Sequence, residues 1–158
     1  MDRTPRGFTI IELLVVVAII GLLAAVAVPA SGAGYEARLD LVELQVRDAL
    51  NRAASLARST RETHGVVFDV TTDRFAVVNA QGVPVTDPFT RSSYIVDFER
   101  PDQPRGIDVY QVLFGAGGRA AIFDGQGLPM EGGTMVFKCQ TAQRTLTLDR
   151  ATGNVSTS

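Results

Sequence analysis

The chain has 158 residues, 46% of them hydrophobic, and its 15 basic and 17 acidic side chains leave a formal net charge of −2 at pH 7. This balance implies no strong electrostatic partner. A single histidine and a single cysteine exclude a histidine-rich metal site and an intrachain disulfide, so we expect Cys139 to be buried in a strand.

The first predicted element is an apolar helix over residues 8–30, which follows a short basic leader, residues 1–7. At about 1.5 Å rise per residue, a helix of this length covers the roughly 30 Å hydrocarbon core of a bilayer. Arg3 and Arg6 precede the helix, and positive flanks stay in the cytoplasm. We therefore predict a single pass through the inner membrane, with a cytoplasmic N-terminus and the C-terminal domain facing outward.

Glu12 is the only ionisable side chain between Phe8 and Ala30. A carboxylate in hydrocarbon costs roughly 2.5 kcal/mol or more, so it is tolerated mainly beside protein, water or a positive partner. We expect Glu12 either to take a partner from elsewhere or to reach water at the cytoplasmic interface. Pro29 removes an internal hydrogen bond, so it predicts a helix kink or the end of the span.

The stretch Gly7-Phe8-Thr9-Ile10-Ile11-Glu12-Leu13, between a basic leader and an apolar run, resembles the processing motif of the type IV pilin and pseudopilin superfamily. The resemblance implies that a prepilin peptidase cuts between Gly7 and Phe8 and N-methylates Phe8. It also implies that Glu12 pairs with the N-terminal amine of a neighbouring subunit and sets the register of a filament.

Two other interpretations of the N-terminus stay open. The triplet Ala25-Val26-Ala27 could end a conventional signal peptide and release a soluble exported protein that begins at Val28. Against this, signal-peptide apolar regions run about 7 to 15 residues, and this longer run contains a glutamate. A membrane anchor without processing is the other alternative, but it leaves the Gly7-Phe8 junction and Glu12 unexplained.

Residues 31–64 are predicted to form an amphipathic helix. Its apolar side chains recur at steps of three and four residues, and we expect them to pack on a sheet: Leu39, Val42, Val46, Ala49, Ala53 and Leu56. The opposite face is expected to be solvated, with Glu43 and Arg47 one turn apart and able to pair. We expect His64 to cap the C-terminal end of the helix.

Residues 65–158 are predicted to form a β-rich domain, because short β-type runs there are separated by Gly, Pro, Asp and Asn. The predicted strands are 66–70, 74–78, 94–99, 107–114, 120–123, 134–138, 144–149 and 154–157. Thr71-Thr72-Asp73 is expected to join the first two strands as a hairpin. A long helix, apolar then amphipathic, packed on an antiparallel β domain is an α+β fold and is similar to that of pilins.

Three stretches in the second half resemble the GspH/FimT family of minor pseudopilins: Phe123-Asp124-Gly125-Gln126-Gly127-Leu128-Pro129, Gly132-Gly133-Thr134 and Leu148-Asp149-Arg150-Ala151-Thr152-Gly153-Asn154-Val155. This resemblance implies a structural subunit of a type II secretion pseudopilus or a type IV pilus. It implies no enzymatic activity and no cofactor. The implied partners are the prepilin peptidase, other pilins in a filament and the inner membrane.

A second hypothesis is a DNA-binding minor pilin, because some FimT-like proteins bind DNA during natural transformation through arginines in the C-terminal turn. The candidate DNA contacts here are Arg119, Arg144 and Arg150. The scattered acidic residues have no EF-hand spacing, and the loop from Gly115 to Arg119 lacks the Gly-Lys-Ser/Thr ending of a phosphate loop. We therefore predict no metal site, no cofactor site and no catalytic residues.

Overall fold

The computed structural model describes residues 10–27, 33–88 and 90–158. The chain divides into two compact units, residues 1–31 and 32–158. In the first unit, helix α1 spans Ile10–Ala27, with Glu12 in its first turn. Among the described residues, no helix is long and apolar enough to cross a membrane.

In the second unit, helix α2 spans Ala33–Thr60 and buries the predicted apolar stripe. Leu39, Val42, Val46, Ala49 and Ala53 are almost fully buried, and Leu56 is partly buried against them. These side chains pack on strands from two sheets, as described below. The expectation that the stripe packs on a sheet is therefore confirmed.

The C-terminal end of α2 differs from the prediction. Arg61 follows Thr60 and adopts a left-handed conformation, with φ at 59°, which stops the helix. The hydroxyls of Ser59 and Thr60 donate back to the Leu56 carbonyl at 3.0 and 2.9 Å. His64 is buried in the first strand and does not cap the helix, so that prediction is wrong. The helix ends at Thr60, and three residues separate its end from His64.

Within the described residues, eight strands form two antiparallel sheets of four strands each. The strands are β1 (His64–Asp69), β2 (Arg74–Asn79), β3 (Ile95–Asp97), β4 (Ile107–Phe114), β5 (Ala120–Phe123), β6 (Gly133–Cys139), β7 (Ala142–Leu148) and β8 (Val155–Thr157). Sheet I has the order β3-β2-β1-β5, and sheet II has the order β4-β6-β7-β8. Helix α2 contacts β1, β2 and β5 of sheet I and β6 and β7 of sheet II. A helix packed on an antiparallel β domain confirms the α+β prediction.

The predicted β1–β2 hairpin is present, and its register places Phe68 opposite Phe75 and Asp69 opposite Arg74. The Asp69 carboxylate closes the turn, because it accepts hydrogen bonds from the Thr71 amide at 3.0 Å and the Thr72 hydroxyl at 2.6 Å. Hydrogen bonds from Thr71 and then Thr72 hold the pKa of Asp69 well below its ordinary value. The turn is therefore stabilised by an ionised carboxylate.

A group of phenylalanines joins the two sheets. The ring of Phe68 on β1 lies 5.7 Å from that of Phe75, 6.3 Å from that of Phe114 and 6.5 Å from that of Phe137, between centroids. Phe114 and Phe137 belong to sheet II, so Phe68 connects both sheets in one core. Cys139, at the end of β6, is fully buried, as predicted.

Candidate assembly site

Helix α1 exposes apolar side chains around its circumference. The exposed residues are Ile10, Ile11, Leu13, Leu14, Val15, Val16, Val17, Ile19 and Ile20. A helix that is apolar on all sides is stable only where lipid or other helices cover it. Glu12 lies in the first turn, where the helix dipole favours a negative charge. Gly7, Phe8 and Pro29, which the sequence assigns to cleavage, methylation and a kink, lie outside the described residues.

On α2, the polar face is tied to sheet II and is not simply solvated as expected. The guanidinium of Arg144, on β7, donates to Glu36 at 2.9 Å and to Glu43 at 3.0 Å, and pairs with Asp40 at 2.9 Å. Arg47 also pairs with Glu43 at 2.9 Å, as predicted. We call these five residues the ion cluster.

The ion cluster also holds the last strand. Arg47 donates to the Val155 carbonyl and, at 2.8 Å, to the Thr157 hydroxyl. The Thr157 hydroxyl donates to Glu43 at 2.7 Å. Burial raises the pKa of Glu43, but the hydrogen bonds from Thr157, Arg47 and Arg144 outweigh burial and lower the pKa overall. Glu43 is therefore the side chain through which α2, β7 and β8 are linked.

Acid should weaken this link. The pKa of Glu43 is lower in the folded chain than its ordinary value of 4.5, so its stabilising contribution is present above that value and is lost as the pH falls through the folded pKa. We expect Glu43→Gln to lower the free energy of unfolding by about 1 kcal/mol at neutral pH, and this difference to shrink in acid. Urea unfolding at several pH values, followed by circular dichroism, measures it. Exposed Glu99→Gln is the control, and an equal pH dependence in both variants would contradict the assignment.

Of the three candidate DNA-contact arginines, Arg144 is held in ion pairs within the domain, whereas Arg119 and Arg150 are exposed. Arg144 is bound by three carboxylates. Its hydrogen bonds to Glu36, and then to Glu43 and Asp40, raise the pKa of Arg144 although burial acts to lower it. Arg119 is exposed just before β5, and Arg150 is exposed in the turn after β7. Arg144 lies four residues before the end of β7, which is about 13 Å of extended strand, and Arg150 lies beyond that end. Arg144 is therefore engaged within the domain.

The turn from Asp124 to Pro129, which resembles the GspH/FimT family, packs against α2. The Asp124 carboxylate accepts hydrogen bonds from the amides of Gln126 at 2.9 Å and Leu128 at 3.0 Å. Gly127 has φ at +76°, and a Cβ there would lie 2.6 Å from the Ala54 carbonyl oxygen of α2. The positive φ and the close approach to Ala54 both require glycine at position 127, and the close approach shows that this turn contacts α2 directly.

Gly127→Ala should therefore destabilise the domain through both backbone strain and a clash with α2. We expect the free energy of unfolding to fall by about 1–3 kcal/mol, measured by urea unfolding. Gly82→Ala is the matched control, because Gly82 has φ at +75° but no atom within 4 Å of its hypothetical Cβ. An equal loss in both variants would show that the close approach to Ala54 contributes nothing.

Within the part of the chain that the structure describes, no group of three or more His, Cys, Asp or Glu side chains could hold a metal ion. His64 contacts the Glu62 carbonyl through Nδ1 at 3.2 Å, which is a structural contact beside the end of α2. Sequence reasoning missed the ion cluster beyond the Glu43–Arg47 pair. The charge pattern of α2 alone does not reveal that Arg144, about a hundred residues later, lies beside it.

Comparison with known proteins identifies the N-terminal segment. The family model of the prokaryotic N-terminal methylation motif matches residues 2–28, which include Gly7, Phe8 and Glu12. The type IV major fimbrial protein FimA of Dichelobacter nodosus strain VCS1703A is 36% identical over 92 residues, which are 53% of this chain and 56% of the relative. Another FimA from Dichelobacter nodosus is 32% identical over 96 residues, which are 55% and 59% of the two chains.

The chain thus spans little more than half the length of the curated relatives that it matches. No solved structure matches it significantly.

Proposed function

We propose that this chain belongs to the type IV pilin superfamily, whose N-terminal methylation motif it matches, and that it is a structural subunit of a filament, more narrowly a minor pseudopilin of the GspH/FimT type. The observation that carries the proposal is the motif match over residues 2–28. That span contains the Gly7-Phe8 junction and Glu12, the residues on which processing and assembly depend in this superfamily.

In the proposed pathway the precursor inserts once in the inner membrane, with Arg3 and Arg6 on the cytoplasmic side. A prepilin peptidase cuts between Gly7 and Phe8 and methylates Phe8. Helix α1 then leaves lipid for a bundle formed by the same helices of neighbouring subunits. The exposed apolar side chains of α1 are compatible with both environments, since both are apolar.

Glu12 would set the register of that bundle. An ionised carboxylate in a low-dielectric helix bundle is costly, and the N-terminal ammonium of a neighbouring subunit would offset part of this cost. Cleavage after Gly7 is what would create that ammonium, on Phe8. Processing and assembly are thus linked through one charge pair.

The narrower minor-pseudopilin assignment depends on the second half of the chain. It is supported by the turn from Asp124 to Pro129, which packs on α2, and by Gly133, where a Cβ would meet the ring of Phe114. The lone, buried Cys139 cannot form the C-terminal cysteine pair that many major pilins have. The curated relatives are themselves named major fimbrial proteins, so use in a pilus and use in a secretion pseudopilus are both compatible with the motif.

Mass analysis of the N-terminal peptide, from protein extracted from the membranes of its own host, tests the proposal. We expect a chain that begins with N-methylated Phe8. A chain that begins at Met1 would show a membrane anchor without processing. A chain that begins at Val28 would show a conventional signal peptide and would remove the proposed role of Glu12.

A further inference from the structure

An open groove lies between α2 and β3, an edge strand of sheet I. Its volume is about 570 Å³, within the roughly 300–1,000 Å³ that is usual for ligand-binding pockets. One wall is formed by Leu44, Gln45 and Asp48 of α2, and the other includes side chains from residues 94–96 and 100–103. No member of the ion cluster lines this groove, so it is separate from the link between α2 and sheet II. We call it the α2–β3 groove.

Two side-chain hydrogen bonds hold the walls of the α2–β3 groove together. The Tyr94 hydroxyl donates to the Asp48 carboxylate at 2.6 Å, and Nε2 of Gln45 donates to Oε1 of Gln103 at 2.7 Å. The backbone amide of Tyr94 also donates to the Val85 carbonyl at 2.8 Å, which fixes the segment before β3. The groove is therefore already formed in the folded domain, so a ligand would not have to order its walls.

The α2–β3 groove is acidic. Its wall contains the carboxylates of Asp48, Asp87 and Asp102 and a single guanidinium, that of Arg100. Among the residues that the structure describes, neither Asp48 nor Asp102 forms an ion pair. The charge in the wall therefore favours a cationic ligand.

The surroundings of Tyr94 show the same excess of negative charge. Burial raises the pKa of Tyr94, and the carboxylates of Asp48 and Asp87 raise it further, although Arg52 acts to lower it. The Arg52 guanidinium lies 5.8 Å from the centroid of the Tyr94 ring and is not part of the groove wall. Even with this second guanidinium counted, the carboxylates remain in the majority.

A lining side chain also has an acceptor without a donor. Oε1 of Gln45 is buried and accepts no hydrogen bond within the described part of the chain. Buried carbonyl oxygens are nearly always hydrogen-bonded, so this atom favours a ligand that brings N–H groups. The other buried side-chain atom of this kind, Nε of Arg52, belongs to a residue outside the wall.

Apolar side chains complete the α2–β3 groove. Leu44 and Ile95, which are 65% and 40% exposed, lie in its wall together with Val96. An arginine side chain suits such a mixed wall, because its alkyl stem packs on apolar surface while its guanidinium brings five N–H donors to carboxylate and amide oxygens.

We propose that the α2–β3 groove binds an arginine side chain on an exposed segment of another protein. The carboxylates of the wall balance its charge, and Leu44 and Ile95 pack against its stem. This contact is made by the domain and not by α1, so it goes beyond the proposed assembly of helices in a filament and does not depend on it.

Titration of the ¹⁵N-labelled full chain, in a neutral detergent, with the peptide acetyl-Ala-Arg-Ala-amide tests the proposal. We expect saturable shifts in the NMR signals of groove amides, such as those of Asp48, Tyr94 and Gln103. The same peptide with citrulline in place of arginine keeps the shape of the side chain and removes its charge. It should bind about tenfold more weakly, because hydrogen bonds to charged groups are lost.

Substitutions in the wall show whether its carboxylates recognise the peptide. Asp48→Asn and Asp102→Asn should each weaken binding of the arginine peptide about threefold. The amide oxygen introduced by Asp48→Asn can still accept from Tyr94. Asp102 forms no side-chain hydrogen bond to a described residue, so Asp102→Asn tests the charge without disturbing the fold. Glu62→Gln removes the same charge from an exposed position outside the groove and should bind the peptide like the unchanged chain.

Equal affinity for the two peptides, unchanged affinity in both aspartate variants, or no shift of groove amides at millimolar peptide would each overturn the proposal. Spermidine, a cation without a peptide backbone, is a further probe, and tighter binding of spermidine than of the arginine peptide would overturn the assignment to a protein segment. Shifts of the same amides that depend on chain concentration, without any peptide, would assign the groove to a second copy of this chain instead of another protein.

Discussion

Glu12→Ala is expected to leave membrane insertion and cleavage intact and to reduce incorporation into filaments at least tenfold. The reason is the proposed charge pair with the amine of Phe8 on a neighbouring subunit, which acts in a low-dielectric helix bundle. A loss of 1.4 kcal/mol or more per contact is enough for a tenfold change. The measurement compares the amount of processed protein in the sheared filament fraction with the amount in the membrane fraction.

Two further variants decide whether charge or size matters at this position. Glu12→Gln keeps the size of the side chain and removes its charge, so it should fail like Glu12→Ala. Glu62→Ala removes an exposed carboxylate after α2 and should assemble normally. Normal incorporation of Glu12→Ala would refute the registering role while leaving the processing motif in place.

Phe68→Ala should cause the largest loss of stability, about 3–5 kcal/mol. Phe68 is 2% exposed and its ring contacts Phe75 in sheet I and Phe114 and Phe137 in sheet II, so its removal opens a cavity at the junction of the two sheets. Pulse proteolysis of the detergent-extracted chain in increasing urea measures the free energy of unfolding.

Val67→Ala is the matched control for Phe68→Ala, because Val67 is the preceding residue on β1 and points to the opposite face of sheet I. It is 38% exposed, so we expect a loss below about 1 kcal/mol. Similar losses in the two variants would show that the contact between the sheets through Phe68 is not what stabilises the core.

Local patterns predicted several elements correctly. The apolar steps from Leu39 to Ala53 identified the buried face of α2, and the turn residues between Asp69 and Arg74 identified the β1–β2 hairpin. These signals lie within one helix or one turn, where neighbours in sequence are neighbours in space. The end of α2 was less predictable. A helix usually ends at a glycine or asparagine in the left-handed conformation, whereas here the left-handed residue is Arg61.

The sequence by itself determined the processing motif at Gly7-Phe8, the position of Glu12, and the order of one amphipathic helix and a series of short strands. Only the tertiary structure decided that the strands divide into two sheets and that Arg144 joins Glu36 and Glu43. Glu36 and Glu43 lie 108 and 101 residues before Arg144 in the sequence. The charge pattern of a helix does not indicate which distant element folds beside that helix. The rows of side chains across sheet I have the same origin. Val67 lies beside Ala76 and Ala120 only because of the strand register, since each strand read alone contains just one of these side chains.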